Sequence, residues 1–327
     1  MLSRRTILKA LGFGAAVPAL ARAQENPDGR RSRWDMFFGG VETAPAPLKP
    51  DWQNWSNDTI TAAWIGHATV LINFFGTWIL TDPVLVNRIG IRMLGMATLG
   101  PKRLVDPALT MKELPPIDLL LLSHGHMDHL DFATLQQMGH DMPVIMAKNT
   151  ADILEDMAFK EVHELDWGES ITVAGVEVEA MEVRHFGWRF PWEDDRSKGV
   201  WTGRSYNAYL LTKNGHSIVF GGDTAMQEYF RPIGERGVTV DLAMMPIGAY
   251  DPWVTNHCKP EEAIEMAGHL NARVIMPIHW GTFIQSEEPT EEPIQRFTRA
   301  LAEQPERIAL TRHGETWRLE DSISEKI

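Results

Sequence analysis

Residues 119–131 read LLLLSHGHMDHLD, so an apolar run ends in three histidines and an aspartate within six residues. Imidazole and carboxylate are the side chains that hold borderline divalent ions such as zinc, at about 2.0–2.2 Å. His124 and His126 are two apart, so in extended backbone both rings face one way, while Asp128 and His129 lie past the turn and face another. Three more apolar runs end on a residue of the same kind next to a glycine-containing turn: 176–183 before His185, 218–220 before Asp223 and 274–278 before His279. Together these residues predict two ions, one held by His124, His126 and His185, the other by Asp128, His129 and His279, with Asp223 bridging. Two such ions share and acidify a water and clamp the attacking and leaving oxygens of a displacement. The predicted chemistry is therefore hydrolysis, without a side-chain nucleophile. His140, His163, His216, His269 and His313 lack this context and are read as structural. Cys258 is read as a thiol outside the ligand set, and Asp131 as the N-cap of a helix beginning FATLQQM.

The elements that must position these residues are legible as strands and helices that interleave. IDLLLLS is a buried strand by its continuous apolar run. PVIMA, ITVAGVEVEAMEVRH, YNAYLLT, HSIVFGG, DLAMMPI and ARVIMPIH supply further strands, and TADILEDMAF, KPEEAIEMAGHL and PIQRFTRALAEQ fit helices. TAAWIGHATVLINFFGTWILTDPVL reads as a hairpin turning at Phe75-Gly76-Thr77. Residues 87–103 read as a loop with exposed Ile89, Ile91, Met93, Leu94 and Met96. The carboxyl ends of neighbouring strands in such αβ proteins converge on one crevice, which lets the candidate ligands meet.

The chain has 327 residues, 44% apolar and 23% charged, enough for one large domain with a full core. Its start, SRRTILK followed by an apolar run over residues 10–20 and Ala21-Arg22-Ala23, reads as a twin-arginine export signal cleaved near Ala23. The apolar run is too short to span a bilayer, which needs about 20 residues. The expected organisation is a signal over residues 1–23, an extended arm over 24–57 and a hydrolase domain over 58–327. The arm is rich in proline and carries Trp34, Phe37, Phe38, Trp52 and Trp55, which pin it to the domain unless it is a mobile linker. Removing the four basic signal residues (Arg4, Arg5, Lys9, Arg22) from 31 leaves 27 against 44 acidic residues, a formal charge of −17. That balance disfavours nucleic acid as a partner. The single cysteine excludes an intrachain disulfide even at the predicted periplasmic or secreted destination.

HGHMDH with the later His185, Asp223 and His279 resembles the metallo-β-lactamase fold superfamily. WIGHATVLI, ILTDPVL, GPKRL, LPPIDLLLLSHGHMDHLD, FGGDT, MMPIGAYDPW, PEEA and IHWGTF resemble the branch that contains N-acyl-phosphatidylethanolamine-hydrolysing phospholipase D. The blocks run over residues 64–283. The resemblance implies a four-layer αββα sandwich of two mixed β-sheets flanked by helices, with a binuclear zinc centre at the edge between the sheets. It carries the ligand set onto His124, His126, Asp128, His129, His185, Asp223 and His279.

The implied activity is a secreted zinc-dependent phosphodiesterase of phospholipase D type, in which the activated water attacks phosphorus. Lactonases of the UlaG type share several blocks, so a lactone, amide or other ester hydrolase is the alternative, with a non-catalytic metal-binding protein behind it. Asp223 and Asp128 are expected in the catalytic centre. Asn256 and His257, in the loop where the family meets its headgroup, are expected to bond a phosphate or assist the leaving group, with a plain loop histidine as the other reading; Tyr250 is placed beside the substrate. His67 and Asp82 are expected to orient ligands through hydrogen bonds, or else to be a packed strand-end ring and a turn carboxylate before Pro83. The arm before Trp64 and the segment HFGWRFPWEDDRSKGVW depart from the eukaryotic phospholipase pattern. Apolar residues at 34–38, 89–96 and 186–192 with Trp201 suit a lipid surface or acyl pocket, and equally suit ordinary loop packing.

Overall fold

The computed structural model describes residues 41–93 and 97–319. The predicted export signal, the first part of the arm with Trp34, Phe37 and Phe38, and Leu94 and Met96 lie outside the described residues.

Fifteen strands are described: β1 (Ile60–Gly66), β2 (Thr69–Phe74), β3 (Thr77–Thr81), β4 (Ile91–Met93), β5 (Ala97–Leu99), β6 (Leu119–Leu122), β7 (Val144–Ala147), β8 (Val162–Leu165), β9 (Ser170–Val173), β10 (Val176–Met181), β11 (Ala208–Lys213), β12 (His216–Phe220), β13 (Leu242–Pro246), β14 (Val274–Ile278) and β15 (Thr316–Arg318). One sheet has the order β15-β1-β2-β3-β6-β7-β8, antiparallel as far as β3 and parallel beyond it. The other has the order β14-β13-β12-β11-β10-β9, parallel through β12 and antiparallel beyond. Following the reversals, β1, β3 and β6 run one way in the first sheet, and β10, β12, β13 and β14 share a direction in the second. Their carboxyl ends therefore lie together on one edge of each sheet.

Alternation along the strands builds the layers. Ile60, Ala62 and Trp64 of β1 and Leu119 and Leu121 of β6 join Val176, Val178, Phe220 and Met244 in the core between the sheets. Ala63, Ile65, Leu120 and Leu122 point to the outer face, under α1 (Phe132–Leu135) and the 3-10 segment Ala151–Met157. A strand buried on both faces has no polar alternation, which is why LLLL is continuous. The second sheet's outer face is covered by α3 (Pro260–His269) and α4 (Glu292–Ala300), through Ala263, Met266 and Phe297; α2 (Arg231–Glu235) precedes them in the chain. The result is the predicted sandwich of two mixed sheets flanked by helices.

Three local expectations change. The predicted hairpin is a three-stranded meander, because Gly66 and His67 take φ of 137° and 56° and turn the chain before Phe75-Gly76 turns it again. Residues 87–103 form the β4–β5 ribbon rather than a loop, and Ile89 is buried although Ile91 is exposed. TADILEDMAF winds as a 3-10 segment ending on Ala158 at φ 54°. In the described part of 24–57, Trp52 and Trp55 pack against Trp78 at centroid distances of 5.7 and 5.6 Å.

Candidate metal centre

Each strand end delivers its residue through a tight local device. After β12, Gly222 has φ 56°, and a Cβ there would stand 2.8 Å from the Asn207 carbonyl oxygen and 2.9 Å from Ser123 Cβ. Only glycine turns there, and the turn aims Asp223 at the loop after β6. His279 (φ 60°), His67 (φ 56°) and Asp82 (φ 32°) also sit in the left-handed region. Such backbone costs non-glycine residues about 1 kcal/mol or more each. Arg189 Nη1 donates to the carbonyls of Gly125 and Leu130, both at 2.8 Å, and clamps the two ends of the HGHMDHL loop.

The loop and the second sheet then meet. His126 Nδ1 stands 2.7 Å from His124 Nε2 and 3.3 Å from His185 Nε2. Nitrogens on a tetrahedral ion with bonds of 2.0–2.1 Å sit about 3.3 Å apart; the His126–His185 pair matches that spacing and the His124–His126 pair is closer. In the second group Asp128 Oδ2 lies 3.4 Å from both His129 Nε2 and His279 Nε2. Asp223 Oδ2 reaches both groups, at 3.1 Å from His129 Nε2, 3.2 Å from His279 Nε2 and 3.8 Å from His185 Nε2. All seven predicted ligands thus converge as two groups with a shared aspartate.

The donor atoms fit ions. His129 Nε2, His279 Nε2 and Asp223 Oδ1 are buried without a hydrogen-bond partner in the protein. Buried polar atoms are ordinarily paired, and a cation is a partner that would satisfy such orphans. Four ligands come from the first sheet and three from the second, so each group spans the gap between them.

The superfamily's domain model, described as Beta-lactamase superfamily domain, matches residues 77–280. The chain belongs to the metallo-β-lactamase superfamily. It is similar to the uncharacterized protein Rv0906 of Mycobacterium tuberculosis, 31% identical over 278 residues, 82% of this chain and 70% of that one. It is similar to N-acyl-phosphatidylethanolamine-hydrolyzing phospholipase D 1 of Caenorhabditis elegans, 31% identical over 244 residues, 70% of this chain and 65% of that one. Among solved structures, Igni18, a metallo hydrolase of the archaeon Ignicoccus hospitalis, shares the fold at a TM-score of 0.57 and 19% identity, over 80% of this chain and 99% of that one. This metallo-β-lactamase-fold protein is a metal-dependent hydrolase.

Around these seven residues a second set of groups holds the rings in place. Asp82, wholly buried, accepts from His129 Nδ1 at 2.6 Å, from the Ser123 backbone N–H at 2.7 Å and from Ser123 Oγ at 2.5 Å. Ser123 Oγ also meets His124 Nδ1 at 2.9 Å. His185 Nδ1 donates to the Asn256 carbonyl at 2.9 Å. Asp128 Oδ2 accepts from His67 Nε2 at 2.9 Å and from Gln285 Nε2 at 2.6 Å. His67 and Asp82 thus hydrogen-bond Asp128 and His129 directly. Ser123 and Gln285 went unread in the sequence, since a serine after a strand and a glutamine in a loop carry no signature of their own.

Electrostatics divide the rings. Burial and neighbouring imidazoles hold His124 and His126 well below the ordinary value, and burial lowers His185 and takes His67 and His257 to about 3. Burial also opposes a charge on His129 and His279, but Asp223 and Asp128 override it; His129 is held well above the ordinary value and His279 rises to about 9. Burial likewise favours the neutral carboxyls of Asp128 and Asp223, yet His129 holds both well below their ordinary value. A cation at Nε2 of His129 or His279 would compete with a proton for that nitrogen.

The remaining candidates take varied places. His257 lines the cleft over the cluster with Nδ1 3.8 Å from Asp223 Oδ2, and Asn256 lines it as well. Tyr250 instead directs its hydroxyl to Glu292 Oε1 at 2.8 Å, and it is absent from the cleft lining. Cys258 is buried with its thiol on the Pro246 carbonyl, outside both groups. His313 stacks on Trp64 at 3.9 Å, and His140, His163 and His216 pair locally, away from the centre; His269 stands by Glu228 and Glu265.

Proposed function

We propose that this hydrolase is a two-zinc phosphodiesterase of phospholipase D type acting on N-acylphosphatidylethanolamine or a closely related phospholipid. The observation that carries this reading is the cleft of about 680 Å³ above the ligands, walled by Ile89, Ile91, Phe186, Trp188 and Trp253. An apolar cleft of that size accepts acyl chain and glycerol carbons beside a charged phosphate. Similarity to the C. elegans phospholipase supports the same substrate class.

His124, His126, His185 and Asp223 would hold one ion, and Asp128, His129, His279 and Asp223 the other. When bound, two such ions supply an acidified water and neutralise developing charge on phosphoryl oxygens. The residues of this chain do the placing. Asp223 Oδ2 fixes the two groups relative to each other, and the walls of the cleft exclude bulk water from the phosphate. His257 is neutral, so it serves as a hydrogen-bond partner for a phosphoryl or leaving oxygen rather than as a standing proton donor. Asn256 adds a second polar contact on the same wall.

The test is hydrolysis of N-acylphosphatidylethanolamine in ¹⁸O-water by purified, zinc-loaded protein. Phospholipase D chemistry puts the label into the phosphate of phosphatidic acid, and chelation abolishes turnover until zinc is restored. Label appearing in a carboxylate, or turnover of lactones in place of the phospholipid, would replace the phosphodiesterase reading with the carbonyl-hydrolase one. Export to the periplasm through the twin-arginine segment belongs to the same proposal.

A further inference from the structure

One oxygen of the Asp128 carboxylate is oversubscribed. Its Oδ2 accepts from His67 Nε2 at 2.9 Å and from Gln285 Nε2 at 2.6 Å, and the same oxygen faces His129 Nε2 and His279 Nε2 at 3.4 Å each. One carboxylate oxygen offers two lone pairs. If an ion takes one of them, a single donor can stay. His67 is wholly buried, its backbone N–H is tied to Thr282 Oγ1 at 2.8 Å, and its carbonyl accepts from His279 N and Trp64 Nε1. It has nowhere to turn. Gln285 is only partly buried and lines the cleft, so it is the donor that can leave.

A carboxamide turned into the cleft presents one acceptor and two donors beside the reacting phosphate. Its natural complement is another amide, which offers N–H and C=O together. The rest of the lining points the same way. Among the described residues that line the cleft there is no lysine or arginine, and the only carboxylates are the ligands Asp128 and Asp223. An ammonium headgroup finds no counter-charge there beyond carboxylates already committed to ions, whereas a neutral, acylated nitrogen needs none.

We infer that Gln285 is a specificity residue: it leaves Asp128 when the ion binds and reads the amide of an N-acylated headgroup. The inference rests on the phospholipase reading above and names the part of the substrate that this side chain meets. Losing one or two neutral hydrogen bonds to a substrate lowers its turnover by roughly five- to thirtyfold.

Two measurements test it. In metal-free protein labelled with ¹⁵N-glutamine, the side-chain amide resonance that disappears in Gln285→Ala is followed as zinc is added. A shift complete by two equivalents is expected, and an unmoved resonance overturns the exchange at Asp128. In the zinc-loaded protein, Gln285→Leu is expected to lower kcat/KM for N-acylphosphatidylethanolamine by roughly five- to thirtyfold more than for phosphatidylethanolamine or bis(4-nitrophenyl) phosphate. An equal fall on all three substrates, or no fall on any, overturns the amide reading. If the wild type hydrolyses no phospholipid, the phospholipase proposal and its amide partner fall together, and the zinc titration still decides whether Gln285 leaves Asp128.

Discussion

Replacing Asp82 by asparagine keeps size and shape but reverses one hydrogen-bond polarity at a wholly buried point. The remaining oxygen can still accept from the Ser123 N–H, which now stands at 2.7 Å. The new NH2 then faces His129 Nδ1, where the carboxylate oxygen now lies at 2.6 Å. Two donors cannot share that contact, so the imidazole must carry its proton on Nε2, the nitrogen that faces Asp128 and Asp223. That proton occupies the lone pair an ion needs. Loss of such an orienting group typically weakens metal binding about 10- to 100-fold, equal to about 1.4–2.7 kcal/mol. The loss should fall on the ion held by Asp128, His129 and His279, and only slightly on the other. Metal-free Asp82→Asn titrated with zinc against a chromophoric chelator is thus expected to show one site near wild-type affinity and one weakened site. A circular dichroism spectrum and melting curve confirm the fold. Two sites within threefold of wild type in the folded variant would refute the assignment of Asp82 to His129.

Three further outcomes are expected. Burial takes His313 to about 3, so the folded state leaves it neutral while the unfolded chain protonates near 6.5; stability is full above pH 6.5 and is lost as pH falls towards 3. At pH 5 this amounts to about 2 kcal/mol, and denaturant midpoints at pH 7 and 5 should show that the wild type loses this much more than His313→Asn. Trp192 and Trp201 are 73% and 74% exposed, whereas Trp188 lines the cleft; serine at both exposed positions should weaken vesicle sedimentation and spare a soluble diester, and equal loss on both would remove the lipid-surface role. Lysine at both Arg4 and Arg5 should leave the chain in the cytoplasmic fraction of an expressing bacterium, and continued export would remove the signal.

The clustering of His124, His126, Asp128, His129, His185, Asp223 and His279 was legible because metal chemistry demands rare residue types at strand ends; the runs before HGHMDH, Asp223 and His279 are too apolar to be anything but buried strand, whereas VEVEAM before His185 shows the alternation of a half-buried one. Asp131 was legible too: its side chain accepts from Thr134 N–H at 2.7 Å, as a cap should. The β1–β2 turn was not, because GHA lies between apolar runs and only its backbone angles break the strand. The β4–β5 ribbon was missed since three-residue strands carry no period. Segment 151–157 has helical spacing, but the chain winds it more tightly. Gln285 and Arg189 act through amide and guanidinium contacts to groups far off in sequence, which no local pattern records. Tyr250 was drawn towards the substrate by its neighbours in MMPIGAYDPW, while packing turned its hydroxyl to Glu292.

The division of ligands between the sheets bears on how the molecule comes apart. His124, His126, Asp128 and His129 belong to one sheet and His185, Asp223 and His279 to the other, so neither sheet retains a full coordination set once the two separate. With metal held by these residues, opening the sandwich and releasing the metal would be a single cooperative event, and free metal would raise the midpoint of that event by mass action. A chelator would then act as a denaturant that works at the seam, and the lifetime of the folded protein in a metal-poor medium would follow the rate at which the metal departs.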